Sequence, residues 1–224
     1  MDLKEYFNKN NITKKDIKTA TKEHINISKI MDDSIYYDLY YKSNLDDFID
    51  SVDYDLNLDL FQIILNESKK YLDLFEPCCQ SGLLGNFIYL NNNHKNNFSY
   101  NGIDINEIAI NKAKRRAIHN SSNENIFTIN DFFEYKKEHE TIIGRYILND
   151  KVNKINNKFI DKSKEISKNI ITIQTFQDNL NYKQGILEYV AALKKHGFES
   201  DILNKPTKSN ATNAINFILK AYKK

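Results

Sequence analysis

From Leu56 onward the apolar positions of this chain recur with two alternating periods. Leu56, Leu60, Phe61, Ile64 and Leu65 return every three or four residues, which lays a single apolar stripe along a helix, and Asp55 or Asn57 offers a side-chain oxygen to cap it. Tyr71-Leu72-Asp73-Leu74-Phe75 follows as a short apolar run bounded by lysines and a Glu-Pro turn, the pattern of a central parallel strand. A helix is expected to start near Gly82, a strand over 98–105, and a helix carrying Ala109, Ile110, Ala113 and Ala117 behind an Asn106 cap. A third strand is expected over 125–129, and two more at Thr141-Ile142-Ile143-Gly144 and Ile170-Ile171-Thr172-Ile173 around a lysine-rich helical connection. Tyr182 to Lys195 reads as a helix that ends at His196-Gly197, where glycine takes a left-handed cap.

Repeated strand–helix units predict a parallel sheet covered on both faces. The final strands, over 198–203 and 214–221, are too close in sequence for a crossover helix, so they are expected to pair antiparallel around a long loop. The first 54 residues are polar and helical in pattern and read as an N-terminal helical cap or lid, with residues 55–224 forming the α/β domain.

Composition narrows the function classes. The formal net charge of the 224 residues is +2, with 32 basic residues against 30 acidic, so no strong field attracts a phosphate backbone. The two cysteines, Cys78 and Cys79, are adjacent, which suits neither a disulfide framework nor a zinc site, and no metal is expected. A reducing cytoplasm is the simplest setting, with no membrane partner, because no run of eighteen apolar residues occurs. Heavy use of asparagine and lysine marks a compositional bias, and the asparagine-rich stretch over 91–97 reads as a polar surface loop.

Candidate chemistry gathers between Leu72 and Asp131. A buried strand that turns into a helix presents backbone N–H groups and a positive helix end, while a carboxylate on the next strand tip can accept from ribose hydroxyls. Glu76, Asp104 and Asp131 fall at the ends of three such strands, which points to an adenosine-containing cofactor.

Leu72-Asp73-Leu74-Phe75-Glu76-Pro77-Cys78-Cys79-Gln80-Ser81-Gly82, then Gly102-Ile103-Asp104-Ile105-Asn106, then Asn130-Asp131-Phe132-Phe133 resemble, in order and interval, the first three motifs of class I S-adenosylmethionine-dependent methyltransferases. Leu193 to Glu199 resembles that family's turn into its sixth strand. The resemblance covers roughly residues 55–222. It implies a doubly wound, mostly parallel seven-stranded sheet with an antiparallel last strand, S-adenosylmethionine as cofactor, and methyl transfer to a small-molecule acceptor through oxygen or nitrogen. Carried over by position, it implies that Glu76 orients the first loop and the methionine end of the cofactor. Asp104 would accept from the ribose hydroxyls, with Ile105 beside it, Asp131 would accept from the adenine amino group, and Phe132 would pack on the ring. Tyr37 or Tyr40, in an aromatic run that resembles the family's lead-in over the cofactor, would donate to its carboxylate.

The first motif departs from the family pattern. Cys78 and Gln80 stand at glycine positions, with Gly82 kept, and glycine serves there because it tolerates positive φ and lets backbone approach a ligand. A reshaped loop in which Gln80 bonds the ligand is one outcome; a catalytically degenerate binding or scaffold protein is the other. Acceptor-side residues are expected beyond strands four and five, at Gly144, Arg145, Tyr146, Thr175, Phe176 and Gln177, where the Arg145 fork would clamp an acceptor carboxylate or phosphate. His24 in the cap is the candidate proton acceptor; the other histidines, including His139, read as surface residues. Ile143-Gly144-Arg145-Tyr146 lacks the Asn-Pro-Pro-Tyr type of element used on amino groups of bases, which further disfavours nucleic acid.

Overall fold

The computed structural model describes residues 41, 46–47, 54–150, 154–176, 182–209 and 214–223. His24, Tyr37, Tyr40 and Gln177 lie outside them, as does most of the 1–54 segment. Helix α1 (Tyr54–Ser68) leads into strand β1 (Asp73–Pro77), helix α2 (Leu83–Asn92), strand β2 (Ser99–Asp104), helix α3 (Glu107–His119) and strand β3 (Phe127–Ile129). Strand β4 (His139–Arg145) follows, then a small ribbon of β5 (Asn149–Asp150) and β6 (Lys154–Ile155), helix α4 (Asn157–Ile166) and strand β7 (Ser167–Phe176). Helix α5 (Tyr182–Lys195) and strands β8 (Glu199–Ile202), β9 (Thr207–Lys208) and β10 (Ile215–Tyr222) complete the order.

The main sheet runs β3-β2-β1-β4-β7-β10-β8, with β9 also on β10. Strands β3, β2, β1, β4 and β7 pair in parallel, and β10 runs antiparallel to β7, β8 and β9. The expected antiparallel ending is therefore present. The outer strand is broken in two at residues 203–206, which turns seven predicted strands into eight.

Each central strand is apolar on both faces because alternate residues serve different cores. Leu74, Ile143, Ile171, Ile173 and Ile218 pack with Leu60 and Ile64 of α1, Leu84 and Ile88 of α2, and Ile110 and Ala113 of α3. Their neighbours Phe75, Ile142, Ile170, Phe217 and Leu219 pack with Phe159 and Ile160 of α4 and with Tyr189 and Leu193 of α5. This period of two, buried on both sides, is what a doubly wound sheet requires.

Several boundaries differ from the sequence reading. Both Asp55 and Asn57 lie inside α1 rather than capping it, because the helix already includes Tyr54. Glu76 and Pro77 belong to β1, and only Phe127–Ile129 of the expected third strand is extended, with Glu124–Ile126 coiled as a 3₁₀ turn. Asn91 and Asn92 belong to α2, where Asn92 is buried and donates to the Ile88 carbonyl, so only the remainder of that stretch is loop. His139 is buried, not superficial: its ring stacks on Phe75 at 4.6 Å while its nitrogens meet Asp73 at 2.9 Å and Tyr135 at 2.8 Å. That cluster closes the amino-terminal rim of the sheet, opposite to the rim that carries the candidate motifs.

Candidate active site

The carboxyl ends of β1, β2 and β4 converge on the loop over 78–82. Its backbone is held in a shape that glycine would adopt freely: φ is +53° at Cys78, +55° at Gln80 and +70° at Gly82. Thus the positions at which glycine was expected keep a glycine-like path although two of them carry side chains. An L-residue in that region costs roughly 1–2 kcal/mol. Tyr146, just past β4, is a third such residue on this rim, at φ +61°. Strain of this kind persists only where the surroundings over-determine it.

Those surroundings are explicit. The Gln80 N–H donates to Asp104 Oδ2 at 2.9 Å, Cys79 N–H donates to the Ile103 carbonyl at 2.9 Å, and Arg145 Nη2 donates to Gln80 Oε1 at 3.0 Å. Gly82 caps α2 in a left-handed conformation, and a Cβ there would come within 2.6 Å of the Ala113 Cβ, so the glycine also allows α2 and α3 to meet closely. Replacing Cys78 by glycine should relieve one strained position. After the extra freedom glycine gives the unfolded chain, a net gain of about 0.5–1 kcal/mol is expected. Urea denaturation of the two proteins measures it, and an unchanged or lower midpoint would mean that the thiol contributes packing that offsets the strain.

Glu76 lies beneath the loop. It is buried, accepts from the Tyr100 hydroxyl, and sits so close to α2 that a Cβ on Gly85 would approach its Oε2 to 2.7 Å. Burial pushes its carboxyl up to about 8, against the opposing pull of the Tyr100 hydroxyl and the Arg145 charge, so Glu76 is mostly protonated at neutral pH. Asp104 ends β2 and accepts from two backbone N–H groups, through Oδ2 from Gln80 and through Oδ1 from Asn106, both at 2.9 Å. Desolvation nonetheless raises its pKa. Asp131 lies beyond β3, with Oδ1 accepting from the Phe133 N–H at 2.8 Å in a local turn.

Cys78 stands at this rim among acidic side chains. Solvent reaches it, yet desolvation, followed by the charges of Asp104, Asp131 and Glu76, pushes its thiol up to about 12. The charges that add to this shift place Cys78 near Asp104, Asp131 and Glu76 at the carboxyl rim of the sheet. With its thiol fully protonated at neutral pH, Cys78 is no nucleophile.

The aromatic pair after β3 divides differently from the sequence reading. Phe132 turns into the core, stacked on Phe159 at 4.3 Å, while Phe133 is 47 % exposed. Ile105 at 71 % and Ile129 at 53 % are exposed on the same rim, so apolar side chains flank the two aspartates. Arg145 is buried, with its guanidinium 5.7 Å from the Phe61 ring and on Gln80, which places it against the loop instead of on an open surface. Sequence reasoning missed Ser81 and Arg116: Arg116 Nη1 donates to the Ser81 carbonyl at 3.1 Å and to its hydroxyl at 3.3 Å.

No family model matches the sequence, and no curated protein matches it. Solved structures do match. The chain is similar to magnesium protoporphyrin IX methyltransferase from Synechocystis PCC 6803 with bound SAH, at a TM-score of 0.63 and 16 % identity, covering 86 % of this chain and 100 % of that one. The SAM-bound form of that protein aligns at a TM-score of 0.60 and 15 % identity over 87 % of this chain and 98 % of that one. A putative O-methyltransferase from Nostoc punctiforme PCC 73102 aligns at 0.59 and 15 % identity over 84 % of this chain and 60 % of that one. The chain therefore has the fold of class I S-adenosylmethionine-dependent methyltransferases.

Proposed function

We propose that this chain binds S-adenosylmethionine over the 78–82 loop at the carboxyl rim of the sheet and transfers its methyl group to a small-molecule oxygen or nitrogen acceptor. The observation that carries the reading is the loop itself, with a left-handed backbone path at all three of its glycine positions, Asp104 at the tip of β2 accepting from the Gln80 N–H, and Asp131 beyond β3. The magnesium protoporphyrin IX methyltransferase to which this chain is similar in fold is solved with SAM and with SAH bound.

The residues fit such a ligand. Asp104 accepts from the Gln80 and Asn106 N–H groups, with the Ile105 N–H also directed at it, and its remaining lone-pair capacity suits a ribose hydroxyl. Asp131 offers its second oxygen to an adenine amino group, and Ile105, Ile129 and Phe133 supply the exposed apolar surface that a purine ring needs. Phe133, not the buried Phe132, is the ring suited to that contact. Gln80 sends its side chain to Arg145, a reshaped loop that keeps the glycine-like path, and the N-terminus of α2 presents its unpaired N–H groups toward the loop. A bound sulfonium supplies an already activated methyl, so the protein has to align the acceptor, exclude water and accept the proton an oxygen or nitrogen nucleophile gives up. Arg145, the last residue of β4, and Tyr146, just past it, stand on the acceptor side, and residues 1–54, with Tyr37, Tyr40 and His24, form the proposed cap over 55–224.

Melting with added ligand tests binding before chemistry. At a hundred times the dissociation constant, either S-adenosylmethionine or S-adenosylhomocysteine should add about 2.7 kcal/mol of stability. A shift with both, followed by turnover in a screen of small-molecule acceptors, is the expected result. No shift with either favours the alternative of a degenerate scaffold, for which the side chains at Cys78 and Gln80 are the motive.

A further inference from the structure

Arg116 lies on α3, outside every motif that pointed to the site, and it joins the first loop to the N-terminal segment. Its Nη1 donates to the Ser81 carbonyl and hydroxyl in the first loop. Its Nη2 pairs with Asp47 Oδ1 at 2.5 Å, a residue of the N-terminal segment 69 positions away. One turn earlier on the same helix, Lys112 binds Asp46 at 2.5 Å and Asp47 at 3.0 Å. The Lys112–Asp46 contact is nearly closed to water, with Asp46 only 3 % exposed, which separates it from a superficial ion pair and makes breaking it costly.

From this geometry we infer that Arg116 is a positioning residue for the cofactor loop, and that the N-terminal segment sets its pose. The inference rests on the proposed function and names a residue for the same site. Among the described residues, Asp104 at the Gln80 N–H, Arg145 at the Gln80 amide oxygen and Arg116 at Ser81 hold the strained 78–82 loop. Arg116 is in turn held by Asp47 of the segment that precedes α1. The guanidinium fork suits the task, since one edge binds the carbonyl while the other meets the carboxylate, a geometry that an ammonium point charge cannot hold at both ends. Docking of the segment through Asp46 and Asp47 therefore stabilises the loop in the shape that faces the ligand, and ligand binding in return favours docking, because coupling free energy between two sites is reciprocal. Ionic attraction across this seam weakens with salt, so the coupling does too.

The test is calorimetric binding of S-adenosylhomocysteine to the full chain, for the wild type, Arg116→Met, Arg116→Lys, Asp47→Ala and the Asp47→Ala/Arg116→Met pair. Arg116→Met should weaken binding about tenfold or more, and Asp47→Ala by a smaller factor. The double variant should bind like Arg116→Met alone, because both single changes remove one linked path. Arg116→Lys keeps the charge but not the fork, and is expected to melt like the wild type while still binding more weakly. Raising ionic strength should weaken binding to the wild type more than to Asp47→Ala, since the ligand carries no net charge of its own. Losses that multiply in the double variant, or an Arg116→Met that binds within twofold of the wild type, overturn the positioning role. If the wild type itself binds no ligand, it is the methyltransferase reading that fails.

Discussion

Replacing Glu76 by glutamine should stabilise the fold at alkaline pH by on the order of 4 kcal/mol while leaving stability near pH 4 almost unchanged. Burial lifts this carboxyl from its ordinary 4.5 to about 8. In the unfolded chain Glu76 loses its proton near its ordinary value, whereas in the folded protein it keeps it until about pH 8. Between those limits the folded state binds more protons than the unfolded one, so stability falls as pH rises and levels off above the folded value. Put the other way, the contribution is fully present below pH 4.5 and is lost by the time pH passes 8. Glutamine has the same shape, can still accept from the Tyr100 hydroxyl and never ionises, so it should remove this slope. Urea denaturation of both proteins at pH 5, 7 and 9 measures the difference. Curves separated by the same amount at all three values would mean that Glu76 is ionised inside the fold, with the Arg145 charge offsetting its burial.

That behaviour was not legible from the sequence, although the position was. Glu76 stood out because it ends a strand, but whether its carboxyl faces a ligand or the core depends on Tyr100, on the next strand, and on the room that Gly85 leaves in α2. The alternation of strands and helices could be read because each central strand is buried on both faces, which leaves runs such as Ile142-Ile143 and Ile170-Ile171. The ends of those strands could not: His139, Ser167 and Gln174 are polar yet buried, each satisfied at least in part by a hydrogen bond that sequence does not announce. The choice between Phe132 and Phe133 was also hidden, since one turn around Asp131 decides which ring meets Phe159.

The glycine positions illustrate both sides. Glycine was expected at 78 and 80 for its tolerance of positive φ, and the backbone does take that conformation there, while the side chains show how a non-glycine loop holds it: Gln80 reaches Arg145, and Cys78 stays exposed. Arg145 attracted notice as a rare arginine among lysines, but its partner was not predictable from that rarity. Arg116 gave no signal at all, because an ion pair between residues 69 positions apart follows no local spacing.

Changing Asp104 to alanine should cost more at the site than any other single substitution. In the proposed reading a ribose hydroxyl donates to this carboxylate, and a charge-assisted bond of this kind is worth roughly 1.5–3 kcal/mol, so affinity for S-adenosylhomocysteine should fall by about tenfold to a hundredfold. The same change also removes the acceptor for the N–H groups of Gln80 and Asn106 and should lower stability by about 1–3 kcal/mol, since the strained loop then loses one of its holds. A loss of binding could therefore come from a loosened loop alone. Asp104→Asn separates the two effects: one amide oxygen can still accept from a backbone N–H, while the amide nitrogen turns a donor toward the other and the negative charge is gone. If ribose recognition is the main term, Asp104→Asn should melt closer to the wild type than Asp104→Ala does, yet bind the ligand almost as poorly. Recovery of most of the affinity in a folded Asp104→Asn protein would instead assign Asp104 to holding the loop, and would move the ribose contact to another group on this rim.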